Sequence, residues 1–202
     1  MNGLDLVDGF DVGDPAAWEG VPDVELACLN AGVLTGEHDV SKLTDSQYRR
    51  ILSANVDGVV FGVRALAPRM PAGGAIVATS SLAGLTDMPR DPIYALTKAG
   101  VIGFVRSVAP QLADRGIRIN CVCPGIADTP MIDAAGMRPA AAAAKFPLLT
   151  AADVADAVWC AAQSGGTGEA WVVQPGRPAE PYRFRGVPGP RVAGAEGARP
   201  PL

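Results

Sequence analysis

SSLAGLTDMPRDPIYALTK, residues 80 to 98, sets a hydroxyl, a phenol and an ammonium within one short span. Tyr94 and Lys98 stand four apart in a helical pattern that opens at Pro92, so both project from one face of that helix. The residues just before the span, Ala75 to Thr79, read as a short apolar strand. Ser81 then falls just past the strand's carboxyl end, which in an open parallel sheet is where ligands bind. The trio suits proton transfer to or from an alcohol oxygen. A free phenol has a pKa of about 10, too high for a base near neutral pH. A neighbouring ammonium favours the phenolate and lowers that value. The serine hydroxyl is then free to hold a substrate oxygen. Taken alone, the pair also reads as a half-buried aromatic beside a surface lysine, since such spacings are common.

Working outward, the chain alternates strand and helix. Residues 1 to 23 open with at most one short strand, around Leu4 to Val12, and Asp14-Pro15 reads as a cap with proline at the first helical position. Val24 to Leu29 is a short apolar strand that ends in the turn Asn30-Ala31-Gly32, where glycine permits close backbone approach. Thr44-Asp45-Ser46-Gln47 is a capping box, opening a helix to about Arg69. Asn55 lies in its middle, a poor position for asparagine, which calls for a tertiary reason. The helix from Pro92 runs to about Arg115; Pro110 should kink it or strand a carbonyl, and Gly116 stops it. Its apolar residues Val101, Ile102, Phe104, Val105 and Val108 occupy more than one face, which suggests a packing partner on its outer side. Ile117 to Cys123 is the next strand, followed by Pro124-Gly125-Ile126-Ala127-Asp128-Thr129. An alanine-rich, weakly anchored helical stretch (Ala134 to Ala144), a helix capped by Thr150 and a last strand (Gly168 to Gln174) complete a domain spanning residues 1–176. Residues 177–202 are Pro/Gly/Arg-rich and largely irregular, with Arg183, Arg185 and Arg191 in a solvated tail. The alternation implies a parallel sheet with helices on both faces.

Ser81 with Tyr94-Ala95-Leu96-Thr97-Lys98, thirteen residues on, resembles the active-site signature of the short-chain dehydrogenase/reductase family. Asn30-Ala31-Gly32, Asn55, and Pro124-Gly125-Ile126 with Thr129 match as well, and the resemblance runs from about Asp11 to Gly176. It implies a Rossmann-type, doubly wound α/β fold and an oxidoreductase that passes a hydride between NAD or NADP and a small alcohol or carbonyl substrate. Within it, Tyr94 is the proton donor or acceptor. Lys98 lowers its pKa and holds the nicotinamide ribose, Ser81 fixes the substrate oxygen and Asn55 supports a proton relay through its backbone carbonyl. Asp11 would meet the adenine ring, Asn30, Ala31 and Gly32 the adenine-ribose side, Pro124, Gly125 and Ile126 the nicotinamide, and Thr129 the pyrophosphate. The family's habit of pairing the helices that carry Asn55 and Tyr94 implies a homodimer or homotetramer.

Composition agrees with this class. The 202 residues are 49% hydrophobic, enough for one core. A net charge of -4 argues against nucleic acid. Apolar runs are too short and interrupted for a bilayer, and no export signal is visible, which suggests the cytoplasm. Cys28, Cys121 and Cys123 sit in strands as buried thiols, and one histidine with no CxxC pair gives no zinc site.

One piece of the family pattern is not found: the turn G-x-x-x-G-x-G that seats a pyrophosphate at a helix N-terminus. The fold expected is therefore N-terminally truncated, with the first two strands missing and residues 24–29 left as an apolar sheet edge. The alternative to a working oxidoreductase is a catalytically inactive remnant that acts as an interaction or dimerisation partner.

Overall fold

The computed structural model describes residues 3–198. Short apolar runs form four parallel strands: β1 Leu26–Leu29, β2 Ala75–Thr79, β3 Arg118–Pro124 and β4 Ala170–Val173. They lie side by side in chain order. The crossovers carry helices α1 Asp45–Leu52, α2 Gly58–Leu66, α3 Pro92–Ala113, α4 Pro130–Ala134, α5 Arg138–Ala143 and α6 Ala151–Gln163. Side chains alternate across each strand. Ile76 and Ala78 of β2 join the core under α2 and α3, while Ala75 and Val77 join the core under α6. Helices thus cover both faces, and the architecture is the doubly wound α/β sheet that the alternation predicts.

The expected capping box is made, and the expected Thr150 cap is a second box. The Thr44 side chain accepts from the Gln47 amide while Gln47 reaches back, and Thr150 does the same with Asp153. The 45–69 helix is not continuous, however. A π-turn at Ser53–Asp57 separates α1 from α2, and Pro68 tightens the last turn, Ala67–Arg69, to 3-10 geometry. Contrary to the expectation that every apolar run is too short for a bilayer, this stretch is long and apolar enough to cross one by length and composition, yet it packs its Ile51, Val59, Val63 and Leu66 into the protein core. α3 continues through Pro110 to Ala113, which leaves the Arg106 carbonyl without its usual helical donor.

Four expectations change. The Leu4 to Val12 stretch forms no strand but a 3-10 turn, Leu6–Asp8, because Asp5 accepts the Val7 amide and Gly9 stops the turn at φ 83. Asp14 does cap a proline-led helix, but of 3-10 type, Pro15–Gly20. Cys28 is exposed rather than buried. It shares a face with Leu26, paired in register to Ala75 and Val77, but α6 does not reach over β1. The crowded apolar residues of α3 need no outside partner: Val101, Ile102 and Val105 are buried, and Phe104 and Val108 pack against the same core. The tail also carries a short strand, β5 Glu180–Pro181, antiparallel to β4. Among the described residues β1 forms the other edge of the sheet, as expected.

Candidate active site

The strands all point one way, so their carboxyl ends form one rim, and the candidate residues gather there. β1 runs out into Asn30-Ala31-Gly32, β2 into Ser80-Ser81, and β3 into Gly125-Ile126. The Asn30 carboxamide oxygen accepts from the Thr79 hydroxyl at 2.8 Å, tying the first two rims together. Ser81 is extended and caps a 3-10 turn, Leu82–Gly84, with its Oγ accepting from the Ala83 amide at 3.1 Å. That turn lays Ala83 against Tyr94 and Ile51 in a small apolar cluster with Val33 and Met88.

Tyr94 is the third residue of α3 and is buried against that cluster. Burial raises its phenol above the ordinary value, the nearby Ser81 side chain opposes this, and the Asp91 charge adds to the rise. The expected grouping of Ser81 with Tyr94 is found. The expected lowering of the phenol by Lys98 is not. The ammonium lies 5.6 Å from the Tyr94 ring centroid and donates instead to the Thr79 carbonyl at 2.8 Å. Without a charge at contact distance, desolvation decides the direction. Lys98 itself is buried, and burial brings its pKa down to about 8. Its helix turn is fixed by Ser80, whose buried hydroxyl donates to the Lys98 carbonyl at 2.8 Å.

Asn55 sits in the π-turn, fully buried. Its Oδ1 accepts from the Val33 amide at 2.7 Å, and its Nδ2 donates to the Val33 carbonyl and the Thr97 hydroxyl, both at 3.0 Å. The side chain thus has a tertiary task beyond the backbone role that the resemblance implies. Gly32 stands at a close approach: a Cβ there would lie 3.1 Å from Lys98 Nζ and 3.3 Å from Asn55 Oδ1. Gly125 donates to the Val173 carbonyl, and a Cβ on it would meet Gln174 Oε1 at 2.8 Å. Pro124 ends β3 in the core, and Ile126 accepts from the Leu149 amide. Thr129 precedes α4 at its N-cap with no side-chain bond. The short helices α4 and α5 are tied by Arg138, which bridges Asp128 at 2.8 Å and Asp133.

Asp11 is the predicted site residue that the structure does not bring in. It is exposed, and its carboxylate accepts from the Gly13 amide at 2.9 Å in its own turn. Thr79, Ser80 and Thr97 hold the site together and escape a reading by motif, since a small hydroxyl residue carries no signal until its partner is known. Among the described residues no cluster suits a metal ion.

The chain has relatives in sequence and in fold. The family model described as Enoyl-(Acyl carrier protein) reductase matches residues 16–176. Cyclohexanol dehydrogenase of Acinetobacter sp. is 38% identical over 111 residues, covering 54% of this chain and 44% of that protein. The 2-(R)-hydroxypropyl-CoM dehydrogenase of Xanthobacter autotrophicus is 34% identical over 168 residues, covering 76% of this chain and 66% of that one. A 3-oxoacyl-[acyl-carrier protein] reductase from Brucella melitensis, solved with bound NAD, superposes with a TM-score of 0.69 at 31% identity, covering 81% of this chain and 67% of that one. The chain thus spans 44% to 66% of the length of these two relatives. With the model match covering most of the sequence, and with serine, tyrosine and lysine gathered on the rim of a parallel sheet, the chain belongs to the short-chain dehydrogenase/reductase family.

Proposed function

We propose that the full-length protein is an NAD(P)-dependent oxidoreductase that interconverts a secondary alcohol and a ketone or aldehyde, with Tyr94 as its acid and base. One observation carries this reading: a phenol beside Ser81 and a buried ammonium share the carboxyl rim of a parallel sheet. The names of the relatives, which include cyclohexanol and 2-(R)-hydroxypropyl-CoM dehydrogenases, support an alcohol carbon as the reacting centre without choosing a substrate. Neighbouring structures hold NAD or NADP, so either dinucleotide fits the reading.

The residues present fit the ribose and nicotinamide half of such a cofactor. Lys98 offers a buried ammonium whose protein partner is one carbonyl oxygen, and Gly32 leaves open the space a Cβ would fill beside it. Asn30, Ala31, Pro124, Gly125, Ile126 and Thr129 line the same rim. Among the described residues no glycine-rich strand-to-helix turn offers a seat for the pyrophosphate; the second reading is a non-catalytic partner protein. When bound, the dinucleotide supplies or takes the hydride at the substrate carbon.

The chain's own residues do the rest. Ser81 holds the substrate oxygen beside the phenol and fixes its orientation. Tyr94 gives a proton to that oxygen in reduction and takes it in oxidation. Its raised pKa keeps the phenol protonated at neutral pH, the form reduction needs. Lys98, with a pKa near 8, is the nearby group able to exchange a proton close to neutrality. Tyr94→Phe tests the assignment. Turnover should fall ~100-fold or more with the fold intact, and retention of more than about a tenth of the wild-type rate refutes the role. The protein also self-associates in this reading. The helices that carry Asn55 and Tyr94 would pair with their symmetry mates, and light scattering showing only a monomer at micromolar concentration counts against it. A cytoplasmic setting suits a dinucleotide substrate pool.

A further inference from the structure

The loop Val33–Thr35, between β1 and α1, has its backbone polar groups taken by side chains of other elements. Asn55 holds Val33 on both sides of its peptide. Arg50 Nη2 donates to the Leu34 carbonyl at 2.7 Å and to the Thr35 carbonyl at 3.2 Å. Asp91 accepts the Thr35 amide at Oδ2, 2.8 Å, and the Thr35 hydroxyl at Oδ1, 2.6 Å. Asp91 is also the N-cap of α3, and the same Oδ1 accepts the Tyr94 amide at 2.9 Å. The other end of the Tyr94 residue is held as well: its carbonyl accepts from the Thr97 hydroxyl at 2.7 Å, and that oxygen accepts from Asn55 Nδ2. Both backbone groups of Tyr94 are thus tied, through Asp91 on one side and Thr97 with Asn55 on the other, to one three-residue loop.

We propose that Asp91 and Thr35 form a buried bracket that positions Tyr94, with Asp91 as the positioning residue. Ordinary capping does not explain the arrangement. An N-cap needs one acceptor and usually keeps its carboxylate in water. Here Asp91 is 4% exposed, Thr35 is 1% exposed, and among the described residues Asp91 makes no salt bridge. A buried carboxylate without a cation is costly unless donors surround it. Three donors and the positive end of α3 meet that need. The product is a fixed first turn of α3, so that the phenol stands against Ser81 and not a fraction of a turn away. Small displacements at a reacting centre cost large factors in rate. The inference rests on the reading of Tyr94 as the proton donor and names what holds that donor in place.

Thr35→Val and Thr35→Ser test it in the full-length protein, since both keep the Thr35 amide on Asp91 and only serine keeps the hydroxyl. In Thr35→Val, exchange of the Tyr94 amide should quicken roughly tenfold, the usual effect of one lost hydrogen bond, with β2 and β3 unchanged. Its kcat should fall roughly tenfold with KM within about twofold, and Thr35→Ser should restore both readouts. Asp91→Asn puts an amide group against the Thr35 N–H, so it should match or exceed that loss, and adding Thr35→Val should cost little more. Wild-type exchange and kcat in Thr35→Val, or a serine variant no better than valine, overturns the bracket. The two readings fail separately. An exchange pattern as described in a protein that turns over nothing sinks the oxidoreductase role and upholds the bracket. Turnover indifferent to Thr35 does the reverse.

Discussion

Asn55→Ala is the sharpest probe of how the site is built. The side chain is fully buried and makes three hydrogen bonds, two to Val33 and one to Thr97. At about 1 kcal/mol net for each bond, truncation costs about 3 kcal/mol. Two terms then oppose each other. Alanine is the better helix former by roughly half a kcal/mol, while the Val33 amide and carbonyl lose partners in a half-buried place where water replaces them poorly, at about 1 kcal/mol or more. The expected loss is therefore about 3–4 kcal/mol. For a chain of this size that lowers Tm by roughly 6–16 °C. Urea unfolding followed by tryptophan fluorescence measures it, with an unchanged m-value showing that the denatured state is not the cause. A loss below about 1 kcal/mol refutes the view that Asn55 braces the site with its side chain.

Other consequences follow from the same contacts. Lys98 has its pKa lowered by burial to about 8, so between that value and its unfolded value of 10.5 the unfolded chain binds more protons. Its contribution to stability therefore rises with pH across that window, and the unfolding free energy of wild type minus Lys98→Met should climb between pH 8 and 10; a flat difference contradicts the burial of the charge. Gly32→Ala should cost about 1–3 kcal/mol, because the new methyl crowds Lys98 Nζ and Asn55 Oδ1, and urea midpoints that do not move remove the packing reason for this glycine. Calorimetric titration of the 202-residue chain with NAD and NADP should show weak binding or none, since no described turn offers a pyrophosphate seat. Micromolar affinity reveals an anion site elsewhere in these residues.

What the sequence made legible was local. Thr44 with Gln47 and Thr150 with Asp153 announce their helices because a capping box is complete within four residues. The short apolar runs of β2 and β3 announce buried strands for the same reason. Tyr94 and Lys98 were visible because a helix fixes their shared face, and Ser81 because the strand before it fixes the rim. The failures are nonlocal. Whether Cys28 is buried depends on how far α6 reaches over β1. The direction of the Tyr94 pKa depends on Lys98 turning to the Thr79 carbonyl, a partner nineteen residues away. The bond from Thr35 to Asp91 spans fifty-six positions, and no propensity or spacing encodes it.

The most direct test of the central claim follows the hydride. The full-length protein is incubated with NAD or NADP and a panel of secondary alcohols deuterated at the carbinol carbon, and the reduced nicotinamide is weighed by mass spectrometry. Transfer of the label to one of the two dinucleotides, lost in Tyr94→Phe, is the predicted result. A wild-type protein that binds dinucleotide yet moves no label from any alcohol, or a Tyr94→Phe variant that moves it as fast, contradicts the account.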